Sequence, residues 1–209
     1  IGTLGAGFPS SLVPVQNTTP DALELHRLLA EFQSAGAGAV AMEVKAILNT
    51  VHGYTASQSI VDGPNKKNFR EGRAAAQNIV PSSTGAAIAV TKAFTKLFGL
   101  FDGISMRVPV VAGSIVDVTF ISKKNTTAEE VNIILKKASK DKRWEGIFGV
   151  TEEDLVSSDI LGSPYGSIAD LKLTRVVGGN LIKVMGWYDN EMGYTYTLVR
   201  HVIATGRLI

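Results

Sequence analysis

Two long β-prone runs, Ser167–Val177 and Leu181–Asp189, flank the pair Gly178-Gly179. Adjacent glycines between such runs suit a tight hairpin, whose central residues need positive φ. A pair of antiparallel strands is therefore fixed near the C-terminal end, and the rest of the fold must extend it. Ser114–Ser122 supplies a further strand: Val116, Val118 and Phe120 alternate with Asp117 and Thr119, the pattern of a sheet with one buried face. Lys45–His52, Ile104–Val111 and Leu155–Ile160 also read as strands. Three helices are predicted among them. Thr127-Ala128-Glu129-Glu130 is a capping box that opens a helix to Ser139. Thr84–Leu97 is a second helix, with Ala87, Val90, Phe94 and Leu97 inward, and Glu191–Ala204 is a third, with Gly206 past its end. The fold class is α+β: a mixed, largely antiparallel sheet with helices on one face.

Residues 1–44 read differently. Ile1–Leu4 forms a short strand, Gly5–Pro14 a Gly/Pro/Ser loop, and Ala39–Val44 a buried strand. Between them lies a helix with Thr19 as N-cap, Pro20 at its first position and Gly36 as its stop. Leu25, Leu28, Leu29 and Phe32 share its inner face. This is an N-terminal α/β strand–helix–strand segment, fused to the larger domain over residues 45–209.

Charge and composition remove whole classes of function. Twenty-one basic and nineteen acidic residues leave a net charge of +2, too balanced for a nucleic-acid or membrane-surface role. The basic cluster Lys136, Lys137, Lys140, Lys142 and Arg143 reads as a solvated helix end. The 209 residues contain no cysteine, which excludes disulfides, thiolate metal sites and a cysteine nucleophile among them. Three histidines, His26, His52 and His201, make no metal cluster, so no metal is expected. No apolar stretch is long enough to span a membrane and no signal peptide opens the chain, so a cytoplasmic protein is expected.

Several short motifs carry candidate chemistry. Gly5-Ala6-Gly7 resembles part of a dinucleotide fingerprint, but no helix follows at once and a third glycine is missing, so it reads as a plain loop. Ser82-Ser83-Thr84-Gly85 places small hydroxyls and free N–H groups where a helix begins; this suits an anion, or simple capping. His52 ends a strand, as a general base or as a structural histidine. Arg73 and Arg107 offer planar donor forks to a phosphate, or face solvent. Trp187-Tyr188-Asp189-Asn190-Glu191 gathers aromatic and polar groups at a strand-to-helix turn, where Asn190 can serve as N-cap.

Taken together and in order, five segments are far more specific. They are Thr50–Ala56, Val61–Pro64, Gly72–Ala87, Arg107–Pro109 and Trp187–Glu191. The series resembles the catalytic domain of the glyceraldehyde-3-phosphate dehydrogenase family, from about Lys45 to the C-terminus. The resemblance implies that His52 activates a cysteine thiolate and that Thr55 and Arg107 hold the substrate phosphate. It implies an inorganic-phosphate site at Thr84 and Gly85, with Arg73 added, and a contact from Asn190 to a nicotinamide amide. In that family NAD takes the hydride, and the sheet packs on a neighbouring subunit, so a homo-oligomer is expected.

The opening runs Gly2–Gly5 and Val13–Leu23, with Leu28–Ala30, Ala35–Ala37 and Ala41–Val44, resemble the central domain of Mur ligases. There the glutamate matching Glu43 helps hold magnesium; here, without an ATP-gripping loop, Glu43 reads as structural. Two resemblances and a missing thiol lead to an expectation of an engineered chimera without native catalysis and without a cofactor of its own. The alternatives are a residual phosphate- or sugar-phosphate-binding module, with phosphate or sulfate as its anion, and an NAD-dependent dehydrogenase fragment that needs a partner.

Overall fold

The computed structural model describes residues 6–8, 11–13, 46–66 and 68–207. The chain divides into two units, Ile1–Lys45 and Ala46–Ile209. In the first, β1 (Ala6–Phe8) and β2 (Ser11–Val13) pair antiparallel, with Ala6 opposite Val13 and Phe8 opposite Ser11. A loop was expected there. The strand predicted at Ile1–Leu4, the helix starting at Thr19 and the strand Ala39–Val44 lie outside the described residues.

In the second unit β3 (Ala46–Gly53) is followed by a long loop containing a 3-10 turn at Phe69–Gly72. Then come β4 (Val80–Ser83), α1 (Gly85–Ala93), a 3-10 turn at Thr95–Leu97, β5 (Phe101–Val108) and β6 (Ser114–Ile121). The chain continues through α2 (Ala128–Ser139), β7 (Phe148–Thr151), β8 (Ser167–Val177), β9 (Leu181–Tyr188) and α3 (Met192–Gly206). The strands form one seven-stranded sheet in the order β4-β5-β3-β6-β9-β8-β7. The β3–β5 and β7–β8 pairs are parallel and all other neighbours are antiparallel. This is the mixed, largely antiparallel α+β class that the sequence indicates.

Local chemistry explains most boundaries. Gly178 (φ 60°) and Gly179 (φ 81°) both occupy the left-handed region and turn β8 into β9. Thr127 Oγ1 accepts from the Glu130 N–H at 3.2 Å, and the Thr127 N–H donates to Glu130 Oε2 at 3.3 Å, closing the capping box of α2. Thr84 caps α1 by accepting from the Ala86 N–H at 3.1 Å. Gly103 lets β5 lie flush on β3, because a Cβ there would come within 2.4 Å of the Leu48 carbonyl oxygen.

Three expectations are corrected. The helix from Thr84 ends at Ala93, because Phe94 leaves helical geometry (φ −118°, ψ 78°). Phe94 therefore falls off the inner face and is 62% exposed. The predicted strand Leu155–Ile160 is a set of turns: the Val156 N–H donates to the Asp159 carboxylate at 2.7 Å, and the run delivers buried Ile160 to the core from a loop. The strand in that region is β7, four half-buried residues whose pattern has no alternation.

Strand register separates two faces. Leu48, Thr50 and His52 project to one side of β3, and Ile47 and Val51 to the other. Ile104 of β5, opposite Asn49, shares the second side. Ile47 and Ile104 are each about half exposed there, at 47% and 49%.

Candidate functional site

The site is built by strand register. Val80 of β4 lies opposite Arg107 of β5, and Arg107 opposite His52 of β3. His52 lies opposite Ser114 of β6, and Ser114 opposite Tyr188 of β9. Directly paired residues project to the same face, so these five form one row across the sheet. The parallel row two residues back contains Ser105, Thr50 and Gly186.

His52 is the hub of the row. Its Nδ1 lies 2.6 Å from the Gly53 carbonyl oxygen and 2.7 Å from an Arg107 guanidinium nitrogen. Its ring meets Tyr188 edge-on, with centroids 6.0 Å apart. The Tyr188 hydroxyl is in turn 2.9 Å from Thr50 Oγ1, which fixes the phenol ring. Burial holds the His52 pKa below its ordinary 6.5, and the Arg107 charge adds to this; the Gly53 carbonyl and the Glu191 carboxylate act the other way. The imidazole is therefore mainly neutral at pH 7, the form a base requires. Burial likewise lowers the Arg107 pKa, while Tyr188 and Glu71 oppose it.

Beside this row a cavity of about 340 Å³ is lined by His52, Tyr188, Asp189, Asn190, Tyr194 and Thr197, among others. That is within the roughly 300–1,000 Å³ of small-ligand sites. Asp189 is 6% exposed and anchors its floor. Its carboxylate accepts backbone N–H bonds from Gly162 (2.8 Å), Glu191 (2.8 Å) and Met192 (2.9 Å). Burial alone would raise its pKa, but these three donors outweigh that and hold it below the ordinary carboxylate value. Asp189, not Asn190, thus satisfies the N-terminal amides of α3. Asn190 Oδ1 instead accepts from the Gly113 N–H at 2.9 Å, and its Nδ2 donates to Glu191 Oε1 at 3.0 Å.

The structure unites some predicted residues and separates others. His52 and Arg107 touch, and Asn190 lines the same cavity as His52. Thr55 follows β3 by two residues in a turn closed by the Gln58 N–H donating to its carbonyl at 2.9 Å; its hydroxyl is 3.1 Å from the Ser57 hydroxyl. Arg73 is exposed, and its Nε donates to Asp62 Oδ1 at 3.2 Å. Thr84 and Gly85 sit past the far end of β4, roughly 14–17 Å from Arg107's partner Val80 at a strand rise of about 3.4 Å. Sequence reasoning did not single out Tyr188 and Asp189 individually, although both stand in the run Trp187–Glu191.

A carboxamide suits the Asn190 side chain. Its Nδ2 has one hydrogen on Glu191 and, among the described residues, a second without a partner. That second hydrogen belongs to a residue lining the His52 cavity, so a nicotinamide amide group fits the donor set there. No group of three or more His, Asp or Glu side chains among the described residues is arranged for a metal ion. No helix among them is long and apolar enough to cross a membrane.

Comparison with known proteins follows the same residues. Residues 40–190 match the family model described as glyceraldehyde 3-phosphate dehydrogenase, C-terminal domain. Glyceraldehyde-3-phosphate dehydrogenase of Clostridium pasteurianum is 45% identical over 160 residues, covering 75% of this chain and 46% of the relative. Glyceraldehyde-3-phosphate dehydrogenase 1 of Trichoderma koningii is 47% identical over 160 residues, covering 77% and 47%. The Atriplex nummularia enzyme is 46% identical over 165 residues, covering 78% and 46%. The chain thus spans about half the length of these relatives. The matches overturn the expectation of a non-catalytic engineered chimera. The family match begins at residue 40, inside the segment read as ligase-like, and nothing in the matches supports a Mur ligase segment. His52, Arg107, Tyr188 and Asn190 all lie within the matched span, and the chain belongs to the glyceraldehyde 3-phosphate dehydrogenase C-terminal domain family.

Proposed function

We propose that these residues form the substrate-handling half of an NAD-dependent, phosphorylating glyceraldehyde-3-phosphate dehydrogenase. The observation that carries this reading is a half-buried neutral histidine in contact with a half-buried arginine beside a cavity. The imidazole can take a proton from a nucleophile and return it later in the reaction. The Arg107 guanidinium offers a planar fork to the substrate phosphate, and partial burial strengthens that attraction. Thr55, in the turn just past His52, adds a hydroxyl at the same end of the sheet. Thr84 and Gly85 offer the start of α1 to inorganic phosphate, with Arg73 supplying charge once it leaves Asp62.

Asn190 would hold the nicotinamide amide of NAD, which accepts the hydride when bound. No cysteine occurs among the 209 residues, so the thiolate must come from polypeptide outside them. The apolar face carrying Ile47, Val51 and Ile104 supports association into a homo-oligomer, which light scattering would read.

Supplying polypeptide that carries both a nucleotide-binding domain and a cysteine nucleophile tests the main reading. NAD reduction with glyceraldehyde-3-phosphate and phosphate is expected, and it should fall at least a hundredfold with His52→Asn. A complex that assembles and binds NAD but gives no NAD reduction would refute it.

A further inference from the structure

His52 Nδ1 has two neighbours that make opposite demands. The Arg107 guanidinium, 2.7 Å away, can only donate, so it needs a lone pair on Nδ1. The Gly53 carbonyl, 2.6 Å away, can only accept, so it needs a proton there. One nitrogen of a neutral imidazole cannot satisfy both. While Arg107 is engaged, Nδ1 accepts and the ring proton sits on Nε2. If Arg107 withdraws, Nδ1–H donates to Gly53 and the Nε2 lone pair is released.

We propose that Arg107 is a tautomer gate on His52: the resting guanidinium keeps the proton on Nε2, and an anion that claims Arg107 moves it to Nδ1, exposing a base. The proposal rests on the dehydrogenase reading, in which that anion is a substrate phosphate. The ring stays neutral throughout: the Nε2 proton leaves to water, and another arrives at Nδ1 from water. Arg107 acts here as a positioning residue. The base becomes available only when a phosphate is held, so an unoccupied site does not activate its nucleophile.

Other groups around the ring do not produce this behaviour. Tyr188 presents its ring edge from β9, and its hydroxyl is held by Thr50. The Glu191 carboxylate, at the start of α3, favours a protonated ring without selecting a nitrogen, and Asn190 Nδ2 donates to that carboxylate. Glu71, in the loop after β3, acts on Arg107 rather than on the imidazole. Only Arg107 and Gly53 contact Nδ1 among the described residues.

Long-range ¹⁵N–¹H correlation on the chain reads the His52 tautomer directly, with His26→Gln and His201→Gln used for assignment. Without ligand the Nε2–H form is expected. Saturating inorganic phosphate should shift the ratio toward Nδ1–H by about tenfold or more, as expected for loss of a charge-assisted hydrogen bond. Arg107→Met should show Nδ1–H without phosphate and no response to it; if that variant does not fold, the wild-type titration decides alone. A ligand-free Nδ1–H form overturns the gate. So does phosphate binding, seen at the Thr55 amide, that leaves His52 unmoved, and that outcome leaves the anion-site reading standing. Absence of phosphate binding overturns both.

Discussion

Replacing Asp189 by asparagine isolates the residue that ties the cavity to the fold. The side chain keeps its shape and loses its charge. Asp189 Oδ1 serves Glu191 and Met192, and Oδ2 serves Gly162. Asparagine keeps the first oxygen but sets an NH₂ group against the Gly162 N–H, donor to donor. One hydrogen bond to a charged acceptor disappears, at about 1.5–3 kcal/mol, and two others weaken to neutral strength. The sum is about 3 kcal/mol, a large share of the roughly 5–15 kcal/mol of a typical domain. For a chain of this size it lowers Tm by about 6–12 °C. Urea unfolding followed by circular dichroism gives the free energy, and the change should appear in the midpoint rather than the slope. The pH dependence supplies a second check. The folded pKa of Asp189 is depressed, so its contribution is complete above the unfolded value near 4 and is lost as pH falls through the folded one. The difference between wild type and variant should therefore shrink in acid. A loss below about 0.5 kcal/mol at pH 7, within the range of ordinary surface changes, would refute the reasoning.

Other outcomes follow from the same contacts. His52 has a depressed folded pKa, so the unfolded chain binds its proton more readily; its stabilising effect is complete above pH 6.5 and fades as pH falls toward the folded value, which unfolding with and without His52→Gln would show. Trp187→Phe removes the indole N–H from the buried Asp170 carboxylate (3.0 Å) and should cost about 1–3 kcal/mol in urea unfolding. Gly103→Ala sets a Cβ 2.4 Å from the Leu48 carbonyl at the β3–β5 seam, and a loss on the order of 3 kcal/mol is expected by the same measurement. Thr127→Ala opens the capping box of α2 and should lower stability by about 1 kcal/mol without altering the His52 tautomer.

What the sequence discloses and what it hides divide along one physical line. The capping box at Thr127, the Thr84 cap and the Gly178-Gly179 hairpin are local: each is settled by residues a few positions apart. The β6, β8 and β9 segments are legible for a related reason, since long runs carry their own pattern. β7 is not, because four half-buried residues acquire strand geometry only from parallel pairing with Ser167–Asp170, nearly twenty residues onward. Phe94 fails for the opposite reason: its periodic position is right, but the helix ends one residue before it. The site follows the non-local rule. His52 and Arg107 each read as weak candidates alone, separated by 55 positions. Parallel register between β3 and β5, with Gly103 allowing close approach, makes them neighbours. Antiparallel register through β6 then adds Tyr188, so that one row of residues across the sheet holds both the base and the group that decides which of its nitrogens is free. A change that slips β5 against β3 by a single residue would turn Arg107 to the opposite face, and every contact at Nδ1 except the Gly53 carbonyl would go with it.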